Sequence, residues 1–484
     1  MLHTKITLRL LAMPILWMGV VQFIFAMLSM MVFVDDVIGA FLMPSLSMLI
    51  VGGLIFYNYR GLDLSKANFR DALIYACVTW LVAGILGAFP IMLVTEISFT
   101  DAVFESISAL TTTGATVLSG LDEMPQTFLL YRQFLQWMGG LGIVIFVVAI
   151  LPMLNVGGMK LLKAETPGPM KDDKLSPRVA HTAHYLWSVY IVITIACAIA
   201  YYLGGMTAFD AIAHSLTTVS TGGFSTHDAS MWHYESHLLL WISNVFMLIG
   251  AINFGLHFRV VYQRNLRGYI RDEETKIFLL IVLFLSIVLA IFLVKKDIYS
   301  SSLESFSFSA FHVISFITST GFGAAGFTDW PVAAGFFLIF AGYLGGCAGS
   351  TAGGNKIIRN IITAKVINKN LKQLVHPRAI ITIKYQGNAV TEDVRYAVMA
   401  FMSFAAASSL ILTMMLMATG LDFWSAFSAV AACVNVLGPG FGQVGANFEP
   451  VSDLGTWFLS GAMLLGRLEY FTVFVLFSRT FWRS

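Results

Sequence analysis

Four stretches of this chain share one ending, in which small or hydroxyl-bearing residues run into a glycine. They are DAVFESISALTTTGAT (101–116), FDAIAHSLTTVSTGGF (209–224), SFSAFHVISFITSTGFG (307–323) and DFWSAFSAVAACVNVLGPGFG (422–442). Thr112-Thr113 precede Gly114, Ser220-Thr221 precede Gly222, Ser319-Thr320 precede Gly321, and Val436-Leu437 precede Gly438. Moving a bare cation from water into a low-dielectric medium costs of order 20 kcal/mol, so its route needs oxygens that replace the hydration shell. Backbone carbonyls do this when an extended chain aims them at one axis, and glycine permits the dihedrals and the close approach. Three of the loops add hydroxyls that can coordinate or brace; the fourth has none. Any one such loop reads equally well as a capping turn, where Thr, Ser and Gly are common. Four of them, each after a short apolar segment and before a long one, favour a shared role.

The surrounding elements must place these loops in lipid. A chain of 484 residues that is 57% hydrophobic and 12% charged, with mean hydropathy +0.79, has too little polar surface to cover an apolar core of that size. Ten stretches reach the roughly 20 apolar residues that a transmembrane helix needs: near 10–33, 38–57, 72–95, 127–154, 181–205, 233–258, 276–294, 331–362, 396–419 and 454–478. The first has no small-residue cleavage pattern after it and is expected to be retained. With both termini inside, 25 of the 29 Lys and Arg fall in cytoplasmic segments, the exceptions being Arg132, Lys295, Lys296 and Arg467. The four cysteines, Cys77, Cys197, Cys347 and Cys433, form no CxxC pair and read as packing residues.

Each glycine segment lies in an expected outside connection and is too short to span, which suits a re-entrant piece. The glycines are 108, 99 and 117 residues apart, so a helix, short helix, glycine loop, helix unit recurs four times, and such repeats commonly surround an axis. This divides the chain into an N-terminal two-helix hairpin (1–60) and repeats at 61–158, 159–265, 266–385 and 386–484. The basic linkers at 155–180, 259–276 and 363–395 are too short for a catalytic domain and suit either anionic lipid headgroups or a soluble regulatory subunit.

The glycine loops, together with LYRQFLQWMGGLGIVIFVVAILPML (130–154), AGYLGGCAGSTAGGNKIIR (341–359) and GAMLLGRLEYFTVFVLF (461–477), resemble the TrkH-type proteins of the Trk/Ktr/HKT superfamily of potassium transport proteins over essentially the whole chain. The resemblance implies an all-α polytopic protein of the bacterial inner membrane, with ten transmembrane helices: four M1–P–M2 units after the extra hairpin. It implies a homodimer with one pore per subunit, gated by cytosolic TrkA-type nucleotide-binding subunits, so the nucleotide sits on the partner and no cofactor on this chain. The permeant K+ is then held by Thr112, Thr113, Gly114, Ser220, Thr221, Gly222, Ser319, Thr320, Gly321, Val436, Leu437 and Gly438. In that family a filter glycine goes with potassium selectivity, and serine at the first position with sodium permeation in plant relatives.

Two features suggest a barrier. Gly345, Gly349 and Gly353 in the eighth span either smooth a helix face for close packing or break the helix, since each glycine costs about 1 kcal/mol relative to alanine. The resemblance makes this an intramembrane loop across the pore, with Gly345, Gly346, Gly349, Gly353, Gly354, Lys356 and Arg467 as gate residues. Lys356 reads also as the first cytoplasmic charge. Arg467, mid-span, costs about 2.5–3.5 kcal/mol to insert, so it must hold free carbonyls, repel cations or join a structural ion pair. Glu469, two residues on, faces elsewhere and is a poor partner for it. His214 and His312 read as hydrogen-bonded scaffold. The rival function is a proton- or sodium-coupled potassium symporter, which needs an intramembrane carboxylate; Glu469 is its clearest candidate. Hydrolase motifs such as HExxH and Gly-x-Ser-x-Gly are absent, and no Gly-Lys-Ser/Thr follows the glycine run, so neither an enzyme nor nucleotide binding on this chain is expected.

Overall fold

A computed structural model describes residues 4–62, 69–145 and 179–482. Two helices open the chain: α1 (Thr4–Leu28), continued by one π turn over Ser29–Phe33, and α2 (Ile38–Asn58). They pair closely, with Ser45 Oγ donating to the Gly19 carbonyl at 2.8 Å and Gly52 pressed against Leu16. Gln22 ties this hairpin to the following repeat by donating to the Leu86 carbonyl at 3.0 Å, and the Asp35 carboxylate accepts from the Thr127 amide and hydroxyl.

Four sets of elements follow. The first is α3 (Phe69–Thr95), α4 (Phe99–Leu110) and α5 (Gln126–Ile145); the second is α6 (Val179–Leu203), α7 (Ala208–Val219), α8 (His237–Ala251) and α9 (Phe254–Gln263). A connector, α10 (Arg267–Arg271), leads to the third: α11 (Glu273–Lys295), α12 (Ser302–Ile317), α13 (Val332–Leu344) and α14 (Ile357–Val375). The fourth is α15 (Glu392–Ala418), α16 (Phe423–Val434), α17 (Asp453–Arg467) and α18 (Tyr470–Phe474), with α19 (Arg479–Trp482) behind it. A two-stranded hairpin, β1 (Lys384–Tyr385) with β2 (Asn388–Ala389), is an addition to the all-α expectation. Its turn residues Gln386 and Gly387 both take positive φ, as a type I′ turn requires.

Among the described residues, six helices are long and apolar enough to cross a membrane, or eight if each bent pair is one span. The other two expected spans differ in kind. α5 ends at the edge of the described residues, so the rest of 127–154 lies outside them, as do most of the linker 155–180 and its charges. The span at 331–362 is α13 and α14 separated by a non-helical segment, which is the break expected at the glycine run. Two further breaks were not expected. α8 and α9 meet at 96°, where Asn253 Oδ1 caps the new helix by accepting from the Gly255 and Leu256 amides; α17 and the helix after it meet at 113°, where Glu469 adopts φ +57.

Three of the short helices start on side-chain caps. Ser98 and Thr207 accept from the Asp101 and Asp210 amides, and Asp422 from those of Trp424 and Ser425, which satisfies otherwise orphaned donors. Buried apolar side chains form two clusters. One draws chiefly on repeats two and three, the other on the N-terminal hairpin and repeats one and four. Cys197, Cys347 and Cys433 are buried within the fold, Cys77 is partly so, and all four are free thiols.

Candidate functional site

All four short helices end in one way. The chain turns left-handed one residue past the C-cap, at Thr112, Thr221, Ser319 and Val436, with φ of 57, 52, 53 and 56°. The next amide then reaches back to close a six-residue loop: Thr113 to the Ser108 carbonyl, Gly222 to Thr217, Thr320 to Ser315 and Leu437 to Ala432, at 2.7–2.8 Å. This is the Schellman arrangement, here without the glycine that usually occupies the left-handed position. The following residue in each loop is again at positive φ, and it is glycine: Gly114, Gly223, Gly321 and Gly438.

The second loop therefore corrects the expected register. Gly223, rather than Gly222, is the counterpart of the other three glycines, because α7 ends at Val219 and the same step count from its cap reaches 223. What faces these glycines settles the arrangement. A Cβ on Gly114 would lie 2.2 Å from the Gly222 carbonyl oxygen, one on Gly223 1.9 Å from that of Thr320, one on Gly321 2.1 Å from that of Leu437, and one on Gly438 2.7 Å from that of Thr113. Each loop's glycine thus packs against the equivalent carbonyl of the next loop, and the fourth returns to the first. The loops form a closed ring in chain order.

Buried side chains one and a half turns before the loops hold their outgoing limbs. Glu105 accepts from the Val117 amide and Thr116 hydroxyl at 3.1 and 3.0 Å; His214 Nε2 meets Ser225 Oγ at 2.9 Å; His312 Nε2 accepts from the Ala324 amide at 3.2 Å; Ser428 Oγ accepts from the Phe441 amide at 2.9 Å. Both histidines are scaffold, as expected. Glu105 carries a charge and is paired with Arg132 at 2.5 Å, both fully buried, which explains one of the four misplaced cations. Gln136 braces the second loop from both sides, donating to the Gly222 carbonyl at 2.7 Å and accepting from the Phe224 amide at 3.1 Å. The loop hydroxyls are mostly engaged within the protein: Thr113 with Thr111, Thr320 with Thr318, and Thr221 with the Ser220 carbonyl, each at 2.7 Å.

On the side of the ring where the short helices end lies the segment 345–356. Gly345, Gly349 and Gly354 have positive φ, and a Cβ on Gly353 would lie 2.2 Å from the Asn435 carbonyl oxygen. Thr351 Oγ1 donates toward the Val219 and Gly250 carbonyls, the Gly353 amide donates to Ser319 Oγ at 2.5 Å, and the Gly354 amide to the Asn435 carbonyl at 3.1 Å. One peptide stretch thereby touches the ends of three short helices. Arg467 crosses to it, donating to the Thr351 carbonyl and to that of Gly139 in α5, both at 3.0 Å. Of the expected roles for Arg467, the structure shows the first, a hold on free carbonyls; Glu469 instead pairs with Arg359 at 2.9 Å. Lys356 Nζ donates to the Ala352 carbonyl. Together with Gly349, Gly353, Gly354, Asn435 and Val436, Lys356 and Arg467 line a cavity of about 50 Å³.

The TrkH family, described as cation transport proteins, matches residues 40–484. This chain belongs to the TrkH family. It is 48% identical over 419 residues, 86% of each chain, to the Trk system potassium uptake protein TrkH of Vibrio parahaemolyticus, and 43% identical over 438 residues, 90% of each, to that of Escherichia coli K12. The crystal structure of the potassium transporter TrkH from Vibrio parahaemolyticus superposes over 100% of both chains with a TM-score of 0.91 at 40% identity. These relatives are transport proteins and not enzymes.

In this TrkH-family chain the face of the ring away from segment 345–356 opens into a cavity of about 560 Å³, lined by Gly114, Gly223, Gly321, Gly438, Arg132 and His227 among others. Gly222 is not among its lining residues, which agrees with the register above. At its rim, Asp122 and His227 join the loops of repeats one and two at 2.5 Å. Burial works against the charge on His227, but the Asp210 and Asp122 carboxylates outweigh it and hold its pKa above the ordinary histidine value. Burial likewise pushes Asp122 upward, and the His227 hydrogen bond overcomes it and holds the carboxyl below its ordinary value. Sequence reasoning did not single out Glu105, Gln136 or Glu274. The last, buried in α11, accepts from the Ala348 and Ile358 amides at 2.9 and 3.2 Å and so holds both limbs of segment 345–356. A polar or titratable residue six before the cap in three of the four short helices, Glu105, His214 and His312, was the available signal for Glu105.

Proposed function

We propose that this chain conducts potassium ions through the ring of four loops, with segment 345–356 and Arg467 closing the path on its cytoplasmic side. The observation that carries the reading is the ring itself: four equivalent carbonyls, from Thr113, Gly222, Thr320 and Leu437, each pressed against the glycine of a neighbouring repeat. Such a ring presents main-chain oxygen around one axis, supported from behind rather than by the ion. The names of the relatives supply the ion. The filter ligands are the residues named from sequence, with Gly223 added. The charge at depth also fits conduction better than coupling, since Glu105 is paired with Arg132, Glu469 with Arg359, and Glu274 is held by two amides.

The placement of Lys and Arg favours a cytoplasmic side for both termini and the β1–β2 hairpin, and the resemblance favours an inner membrane. There a route to the gate exists. Lys365 contacts both Glu273 and the Lys384 carbonyl, and Gln386 contacts Glu273 and Asp272, next to Glu274. A cytosolic nucleotide-binding subunit docked on this hairpin would act on the segment through Glu274, and the homodimer implied by resemblance belongs to the same reading. The deciding experiment is planar-bilayer recording of the purified protein. Unitary currents reversing with the potassium gradient are expected; smooth turnover driven by a proton or sodium gradient would replace conduction with coupled symport.

A further inference from the structure

Asp122, His227 and His233 come from two repeats yet gather at one point of the cavity rim. Asp122 sits in the 3₁₀ turn Leu121–Glu123 of repeat one, and both histidines lie in the loop after α7. Their ligand atoms, one carboxylate oxygen and two ring nitrogens, all lie within 4.8 Å of one another. His227 Nδ1 is 2.5 Å and His233 Nδ1 3.8 Å from the same Asp122 oxygen. A tetrahedral zinc ion with bonds near 2.0–2.2 Å separates its ligands by about 3.4 Å, a value that lies between these two.

The backbone around the cluster is fixed. Asp122 Oδ2 accepts from the Asp228 amide at 3.2 Å, while Asp228 accepts from the Gly120 and Leu121 amides at 2.9 and 3.2 Å, a reciprocal clamp between the loops. Behind His227, the Asp210 carboxylate lies 3.5 Å from Nε2, a nitrogen with no hydrogen-bond partner. Metal-binding imidazoles are oriented by donating their second N–H to such a carboxylate, a bond that a small approach of Asp210 to His227 would complete. The two imidazoles stack in parallel, centroids 3.4 Å apart at 3°, so one ion cannot lie in both ring planes. His233, with 42% of its side chain exposed, would have to turn off this stack to share one ion with His227.

We infer that Asp122, His227 and His233 bind a divalent transition-metal ion of the zinc class, which bridges repeats one and two at the rim and slows cation entry. The binding half stands on this cluster together with a turn of His233; the slowing rests on the conduction reading. Equilibrium dialysis of the full-length purified protein against ZnCl2 should give one zinc per chain. Asp122→Asn and His233→Ala should each weaken it by more than the roughly 10–100-fold that loss of an outer-shell partner costs. His233→Ala alters an exposed ring, so a folded variant is expected, with unchanged elution on gel filtration as the check. Zinc uptake unaffected by both substitutions overturns the site. In proteoliposomes, external ZnCl2 should reduce potassium uptake by the unsubstituted protein and not by His233→Ala. Uptake insensitive to zinc that is demonstrably bound overturns the slowing, whereas no uptake under any condition counts against conduction instead.

Discussion

Val436 holds a β-branched side chain at φ +56, where such residues rarely sit, and it does so at the position that Thr112, Thr221 and Ser319 fill elsewhere in the ring. A strained residue of this kind costs of order 1–3 kcal/mol and persists only where its surroundings dictate it. The glycines two residues on are dictated more strictly still. Gly223→Ala places a methyl against the Thr320 carbonyl oxygen at a left-handed φ, while Gly222→Ala at an ordinary φ meets the Gln136 side chain, whose shift gives up its two hydrogen bonds to the loop but leaves the ring backbone in place. Gly223→Ala is therefore expected to abolish potassium uptake and Gly222→Ala to retain part of it; equal loss in liposome flux would restore the register read from sequence. Gly114→Ser should admit sodium, because its Cβ displaces the Gly222 carbonyl, and unchanged potassium over sodium selectivity would contradict that. The sequence pointed to the four segments that form the ring but not to this register. Gly222 and Gly223 differ only in their distance from the end of α7, and helix ends are not legible to one residue.

Breaks in the helices show a similar division. Twelve residues rich in glycine announce the interruption between α13 and α14, whereas those at Asn253 and Glu469 follow from a single cap and a single left-handed residue. Segment 345–356 is held by amides, carbonyls and Arg467 as well as by Cys347, Ala348 and Ala352 packed in the apolar core, and its polar contacts can be exchanged. Arg467→Ala, or deletion of Gly346–Gly353, should raise basal potassium flux in proteoliposomes; if flux stays low, the barrier lies elsewhere. The short helices respond differently, since their braces are structural. Glu105→Ala leaves Arg132 buried without its partner and should destabilise the protein by roughly 3–5 kcal/mol. Removing both residues should cost less than the two single losses combined, as thermal unfolding in detergent would reveal. Glu105 and Arg132 are 27 residues apart, and the alignment of α4 with α5 that joins them is a tertiary fact that no local pattern contains.

At the scale of the whole chain, composition was the most legible property and the ring order the least. Apolar runs and the glycine period suggested four similar sets of elements, because lipid imposes length and helicity on every span. Nothing in that period says that repeat four adjoins repeat one. The structure does: Gly438 packs on the Thr113 carbonyl, the Phe448 amide donates to the Thr116 carbonyl at 2.8 Å, and the rings of Phe104 and Phe448 lie 5.5 Å apart. The apolar cluster of the N-terminal hairpin and repeat one is completed by the same late segment. During synthesis, the partners that complete this flank of the earliest helices are consequently made last, so the ring closes only once residues as late as Phe448 have left the ribosome.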